Sequence, residues 1–409
     1  MRSDPTRAYV WVWLPGSADP VVAGRLDRDG TVFTFTYGRS YLDRADAIPL
    51  SLPELALGDD PIWPTAGKIA GCVADSSPDA WGRRVIMNRR VGHGAQSTAD
   101  IDEVGYLLES GSDRIGALDF QTSPSEYVAR ARDGSLDELA RSAERVELGI
   151  PLSPDLDAAL LHGSSIGGAR PKAILHDGDR QVIAKFSATT DTTPIVKAEF
   201  VAMELARRAG LDVARVALTR AMGNDVLLVD RFDRPGNGHR RLMLSALTIL
   251  GLDELGARHA SYADLAHQIR ARFTTPDATL RELFSRIAFN LLVGNNDDHA
   301  RNHAAFWDGR MLTLTPAYDI CPQPRTGNET AQAMAIGDDG FRMSQLVGLR
   351  DRASTYHLTK VEATEIIDHQ LDVIRTEWVE VCDLAALTEV DRASLWHRQF
   401  LNPYTLDGY

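Results

Sequence analysis

Cysteine is nearly missing from this 409-residue chain. Only Cys72, Cys321 and Cys382 occur, far apart and odd in number, so neither a disulfide framework nor a Cys-x-x-Cys metal knuckle is available. A reducing cytoplasm fits that usage. Long apolar runs are missing too: none approaches the roughly 18 residues of a membrane span. The start, Met1-Arg2-Ser3-Asp4-Pro5-Thr6-Arg7, has no apolar signal core, so no membrane association is expected. Positive charge is in deficit, with 44 Lys and Arg against 57 Asp and Glu and a net charge of −13. Duplex affinity rests largely on neutralising phosphates, so autonomous binding to nucleic acid is disfavoured and a basic partner suits the chain better. Internal repeats and low-complexity segments are absent as well. What is present, 44% hydrophobic and 25% charged residues, is ordinary for a globular protein long enough for two or three packed units.

Strand signals crowd the beginning. Tyr9 to Leu14 is aromatic and β-branched, and Val21 to Arg28 and Thr31 to Tyr37 are joined by Asp29-Gly30, a hairpin signal because it tolerates positive φ. Asp79 to Ile86 starts a helix after Ser76-Ser77-Pro78, and the edge of a small β-rich domain is placed near Ile101 to Gly105. Ser135-Leu136-Asp137-Glu138 predicts a capping box opening a helix to about Val146, and Pro154 to Leu161 a shorter one.

Next comes a glycine-rich run, Gly163 to Lys172, followed by a hairpin of Ala173 to Leu175 and Val182 to Phe186 across Asp177-Gly178-Asp179. Such a run is most often a turn, but it can also bring bare backbone N–H groups up to phosphate oxygens. No Gly-Lys-Ser/Thr closes it, so the Walker pattern fails. Lys185 lies in the apolar strand Val182-Ile183-Ala184-Lys185-Phe186, where a lysine is costly to bury unless paired. Thr193-Pro194 opens a helix to about Ala209, with Glu199 near its start. Glu199 either holds Lys185 toward phosphates or merely suits the helix dipole. Val226 to Val229 is a short strand, and the loop Pro235-Gly236-Asn237-Gly238 beyond it marks a hinge. Helical patterns then dominate: Tyr262 to Ile269, Thr279 to Val293, Val361 to Arg375 and Leu384 to Gln399, with Met311 to Thr315 as the one further strand.

The long helix through Leu280, Leu283, Phe284, Ile287, Leu291 and Leu292 stops at Gly294, where Asp297, Asp298, His299 and Asn302 crowd a helix end. Charge there points to a site rather than to packing. Asp297 and Asn302 stand at the Asp-x-x-x-x-Asn spacing of a kinase catalytic loop, and Asp319, after the strand, sits where a second metal carboxylate belongs. His299 and His303 are four apart but lack the glutamate of His-Glu-x-x-His, so hydrogen-bonded support of the loop is expected and zinc is not.

Glycine loop, strand lysine, helix glutamate, hinge, Asp-x-x-x-x-Asn and strand-Asp follow the order of parts in a two-lobed kinase. Through Ser165-Ile166-Gly167-Gly168-Ala169-Arg170-Pro171-Lys172, Val229-Asp230-Arg231-Phe232-Asp233-Arg234, Asn295 to His303 and Pro316-Ala317-Tyr318-Asp319-Ile320, the sequence resembles the HipA-type serine/threonine kinases, toxins of bacterial type II toxin–antitoxin pairs. The β-rich start and Ser77-Pro78-Asp79-Ala80-Trp81-Gly82-Arg83-Arg84 extend the resemblance over most of the chain. It implies an α+β, two-lobed protein-kinase-like fold. Residues 1–105 would be the N-terminal β-rich domain, 106–234 a lobe carrying the glycine loop, and 235–409 an α-helical lobe carrying the catalytic loop.

By the same resemblance Asp297 is the catalytic aspartate, and Asn302 and Asp319 are the Mg2+ ligands. Ser165, Gly167, Gly168, Ala169, Lys172, Lys185, Asp230, Phe232 and His299 form the ATP-binding set. Ser165 is the autophosphorylated serine, with adjacent Ser164 leaving the register open. The departures are modest: Asp298 stands where the family often has glycine, Asp230 where it often has glutamate and Arg301 where it often has lysine. Implied partners are a HipB-like helix-turn-helix antitoxin, operator DNA mainly through that antitoxin, and a protein substrate of the aminoacyl-tRNA synthetase class. A catalytically degenerate corepressor and a small-molecule kinase share these motifs and stay open.

Overall fold

The computed structural model describes residues 5–92, 101–130, 134–152, 168, 170–177, 180–188, 191, 193–325, 327 and 329–409. Two compact units emerge. Unit 1 is Met1–Thr190, Thr219–Leu244 and Phe306–Arg310, and unit 2 is Asp191–Leu218, Ser245–Ala305 and Met311–Tyr409.

Unit 1 opens with an antiparallel sheet of order β3-β2-β1-β4, built from β1 (Arg7–Val12), β2 (Val21–Asp29), β3 (Val32–Tyr37) and β4 (Leu118–Gln121). Ala8, Val10 and Val12 alternate into its core. The β2–β3 hairpin turns where expected, with Gly30 at φ 61°. A second sheet of order β5-β6-β8-β7 contains β5 (Lys172–Asp177), β6 (Arg180–Phe186), β7 (Val216–Ala221, part of this unit from Thr219 onward) and β8 (Asn224–Asp230). Two helices cover it. In α1 (Ala80–Gly92) and α2 (Leu136–Glu147), Trp81, Val85, Leu139, Ala143 and Val146 pack on Ala173, Ala184, Phe186 and Val226 of the strands. The expected capping box is formed: Ser135 accepts from the Glu138 N–H, and Glu138 reaches back to the Ser135 N–H at 2.9 Å.

Unit 2 is helical. Its spine is α5 (Pro276–Val293), whose Leu280, Leu283, Phe284, Ile287, Leu291 and Leu292 are all buried. Around it lie α3 (Ile195–Arg208), α4 (Tyr262–Arg272), α6 (Lys360–Leu384) and α7 (Glu389–Leu395), with the short strand Leu312–Leu314. Gly294 ends α5 at φ 72°, and a Cβ there would come within 2.7 Å of the Gln399 carbonyl oxygen, so both backbone conformation and space require glycine.

Two helix boundaries depart from expectation. The helix predicted over Val361 to Arg375 runs on to Leu384, because Trp378, Val381 and Cys382 continue its buried stripe. The one predicted over Leu384 to Gln399 shrinks to Glu389–Leu395, since Ala386 turns left-handed at φ 47° and Thr388 caps a fresh helix. Strands β4 and β7, too short or too exposed to alternate clearly, gave no signal in the sequence. The helix expected at Pro154 to Leu161 lies outside the described residues. The cysteines are three free, buried thiols. Among the described residues no helix is long and apolar enough to cross a membrane.

Candidate active site

The site in unit 2 grows from the left-handed turn that ends α5. Past Gly294 the chain folds back on the helix, the Asn295 N–H donating to the Asn290 carbonyl at 2.9 Å, and then exposes Asp297 while burying its neighbour Asp298. A short 3-10 turn, Ala300–Asn302, follows. It brings Asn302 back over the loop: its N–H donates to the His299 carbonyl at 2.8 Å and its side-chain amide to the Asp297 carbonyl at 3.4 Å. Asp319 adopts a left-handed φ of 60°. That strain in a non-glycine residue is of the sort stored at functional sites.

The segment after Asp319 is pinned to the loop. The Asn295 amide donates to the Asp319 carbonyl at 3.4 Å, and the Gln323 N–H to the Gly294 carbonyl at 3.1 Å. Partial desolvation is the main reason the Asp297 carboxyl is raised above its ordinary 3.8; the negative charges of Asp319 and Asp298 add to it, and His299 offsets part. The carboxylate of Asp319 thus lies close enough for its charge to act on Asp297.

Asp298 is the best-connected side chain here. Its Oδ2 accepts from the Tyr262 hydroxyl at 2.6 Å, the Asn290 amide at 2.7 Å and His303 Nε2 at 2.8 Å. Burial works against its charge, yet the charge and hydrogen bond of His303 and the Tyr262 hydroxyl hold its carboxyl below the ordinary range. Because a carboxylate only accepts, His303 Nε2 carries the proton.

In unit 1 the strand register places Lys172 of β5 directly opposite Lys185 of β6. Residues directly opposite each other on an antiparallel ladder point to the same face, so the two ammonium groups share one side of the sheet. Gly168 lies against Lys172 at φ 108°, where a Cβ would collide with Lys172 Nζ. Asp230 is bound by Arg180 at 2.5 Å, and Phe232 packs edge-on against Phe306 at 5.9 Å. Residues Asp230, Arg231, Arg234, Pro235, Gly236 and Asn237, with Arg180 and Gln181, line a cleft of about 380 Å3.

The Val229-to-Arg234 motif has a further use. Arg231 is fully buried and bridges Asp113 and Asp233, both at 2.8 Å; Arg234 repeats the bridge at 2.9 and 2.8 Å. Arg231 also donates to the Arg114 carbonyl at 2.6 Å, and Arg114 in turn pairs with buried Asp119 at 2.8 Å.

Of the residues singled out in the sequence, Asp297, His299, Asn302 and Asp319 share the unit 2 loop region, while Gly168, Lys172, Lys185, Asp230 and Phe232 belong to unit 1. Glu199 is buried within α3. Ser164, Ser165, Gly167 and Ala169 lie outside the described residues. Sequence reasoning missed Tyr262, Asn290 and Asn295, although an asparagine inside the apolar stretch Phe289 to Val293 was a signal.

A profile of the HipA-like C-terminal domain matches residues 164–378, and one of the HipA N-terminal domain matches residues 12–121. The Shewanella oneidensis complex of HipA, HipB and operator DNA contains a chain that superposes with a TM-score of 0.71 at 20% identity, covering 95% of each chain. The fold is thus α+β and kinase-like. More particularly, the chain belongs to the HipA family, since the C-terminal profile alone spans more than half of it. A protein named putative kinase Y4mE from Sinorhizobium fredii is 26% identical over 330 residues, 72% of this chain and 73% of the relative. The serine/threonine-protein kinase toxin HipA of Shewanella oneidensis is 28% identical over 205 residues, 43% of this chain and 47% of the relative.

Proposed function

We propose that this chain is a Mg2+-dependent serine/threonine protein kinase, the toxin of a type II toxin–antitoxin pair. The observation that carries the reading is the loop of unit 2. There an exposed aspartate with a raised pKa, Asp297, shares a hydrogen-bonded frame with Asn302 and with the segment bearing Asp319. Asp297 orients the acceptor hydroxyl and takes its proton as the phosphoryl group transfers. Among the described residues no three His, Cys, Asp or Glu side chains gather as a metal cluster. One carboxylate and one amide nevertheless suit Mg2+, which keeps waters and takes substrate oxygens besides a few protein ligands. Asp319 and Asn302 would hold it, and when bound it would neutralise charge on the β and γ phosphates.

Lys172 and Lys185 would meet the remaining phosphate charge from the glycine loop side. Asp230 and Phe232 would border the adenine, and Gly167, Gly168, Ala169 and His299 would complete the nucleotide site. Ser165, with Ser164 as the neighbouring choice, is the proposed autophosphorylation site. Phosphate there would compete with ATP for the same loop and switch the kinase off. A basic HipB-like antitoxin complements the net charge of −13, and operator DNA is reached mainly through it. The substrate is proposed to be a translation protein of the aminoacyl-tRNA synthetase class.

Incubating the protein with radiolabelled ATP and Mg2+, alone and with a cell lysate, tests this. Label in the chain itself and in a lysate protein, both lost in Asp297→Ala, is the expected result. Absence of magnesium-dependent ATP binding by calorimetry would overturn it.

A further inference from the structure

Asp298 takes no part in the phosphoryl transfer just outlined, yet it is only 2% exposed and one of its oxygens accepts three hydrogen bonds. Those donors come from separate places: Tyr262 from the first turn of α4, Asn290 from the last turn of α5, and His303 from the residue after Asn302. The connections continue. The Asn290 side-chain oxygen accepts from the Asn295 amide at 3.1 Å, and that same amide donates to the Asp319 carbonyl at 3.4 Å. Nδ1 of His303 is buried without a hydrogen-bond partner among the described residues, so its ring is fixed by the Asp298 bond and by edge-on packing against Tyr262 at 5.6 Å. An unbroken path, buried up to its part-buried last link, therefore runs from the neighbour of Asn302, through the neighbour of Asp297, to the backbone of Asp319.

We propose that Asp298, Asn290 and Asn295 are positioning residues that set the relative placement of Asp297, Asn302 and Asp319 through this hydrogen-bonded path. The physical reason is economy of charge. A buried carboxylate left unpaired would be costly, and a glycine in its place would leave Tyr262, Asn290 and His303 without their common acceptor. One oxygen with three donors from three elements fixes the loop against all of them at once. Removing an outer-shell partner of a reacting or metal-bearing group costs roughly 10- to 100-fold in activity. A satisfied buried network is also cooperative, so its members should not contribute independently.

The inference rests on the kinase reading, and the experiment separates the two. Wild type, Asp298→Asn, Asn295→Ala, Tyr262→Phe and the Asp298→Asn/Asn295→Ala double variant are compared. The readouts are steady-state phosphotransfer, thermal unfolding, and hydrogen–deuterium exchange of the ATP-free protein over residues 294–303. Asp298→Asn should lower kcat by about 10- to 100-fold, leave the KM for ATP within about threefold, and speed exchange in that segment while α3 stays protected. The double variant should lose less than the product of the two single losses. Unchanged kcat and unchanged exchange in Asp298→Asn would overturn the proposal, as would lowered thermal stability with kcat and KM intact. If Asp298→Asn does not fold, wild-type kcat in both Asn295→Ala and Tyr262→Phe overturns it equally. Wild type without phosphotransfer would instead sink the kinase reading, and the exchange data would still decide whether the path orders the loop.

Discussion

In unit 1, Arg114, Arg231 and Arg234 share the buried carboxylates of Asp113, Asp119 and Asp233, whereas in unit 2 the buried carboxylate of Asp298 is held by a phenol, an amide and an imidazole. Both assemblies answer the cost of burying charge, but by different routes. The first cancels charge with charge, so its rigidity comes from ion pairs whose members are ruined one by one if any partner goes. Burial pushes Arg114 and Arg234 down to about 10, while the guanidinium groups still hold Asp113, Asp119 and Asp233 below the ordinary carboxylate range. The second route leaves Asp297, the preceding residue, exposed, with its carboxyl raised above the ordinary range. A knot of ion pairs suits a scaffold, and directional hydrogen bonds suit a loop whose exposed side chains are proposed to react.

The sharpest way to break the contrast is to remove the exposed member. Asp297→Ala should cost about 10²- to 10⁴-fold in kcat while ATP affinity measured by calorimetry survives. Asp319→Ala should lower both. In unit 1, Arg231→Ala should cost up to about 3–5 kcal/mol, seen as a lowered denaturant midpoint, because it leaves two buried carboxylates, Asp113 and Asp233, to share the single guanidinium of Arg234. Equal loss from Arg231→Met would show that the missing guanidinium, and not the missing packing of its apolar stem, accounts for the cost.

Acid separates exposed Asp297 by sign from the buried carboxylates, among which Asp298 shifts the same way as those of unit 1. The folded pKa values of Asp113, Asp119 and Asp233 lie below the ordinary 3.8, so the unfolded chain binds more protons as pH falls through that value. Stability present above it is lost as pH drops toward the folded values, and circular dichroism against pH should follow that loss. Asp297 is shifted the other way, so phosphotransfer should fail at a higher pH than an ordinary carboxylate would impose while the fold persists. Smallest of all, Ser135→Ala removes the acceptor of the α2 cap and should cost about 1 kcal/mol without changing activity.

Much of this was legible in the sequence. The Asp29-Gly30 hairpin, the Ser135 capping box, the stop at Gly294 and the Asp297 to Asn302 loop each depend on neighbours within a few positions, where residue chemistry and spacing speak directly. What stayed hidden depends on pairings distant in the chain. Lys172 opposite Lys185 requires the strand register, and Tyr262 on Asp298 joins residues 36 apart. Arg231 with Asp113 joins residues 118 apart. The helix boundaries near Leu384 went astray because a continuous apolar pattern does not reveal a left-handed break at Ala386.

The buried thiols give each unit its own clock. Cys72 reports on unit 1, and Cys321 and Cys382 on unit 2. Burial raises the Cys72 thiol, and it pushes Cys382 up to about 12, so neither offers an appreciable thiolate while folded. Alkylation of either must then wait for local or global opening, and its rate measures how often each unit opens. Cys321 stands two residues beyond Asp319, its N–H donating to the Asp319 carbonyl at 3.0 Å. Mass-resolved alkylation kinetics on the unmodified chain would thus follow scaffold and reaction centre separately, with no engineered label in either.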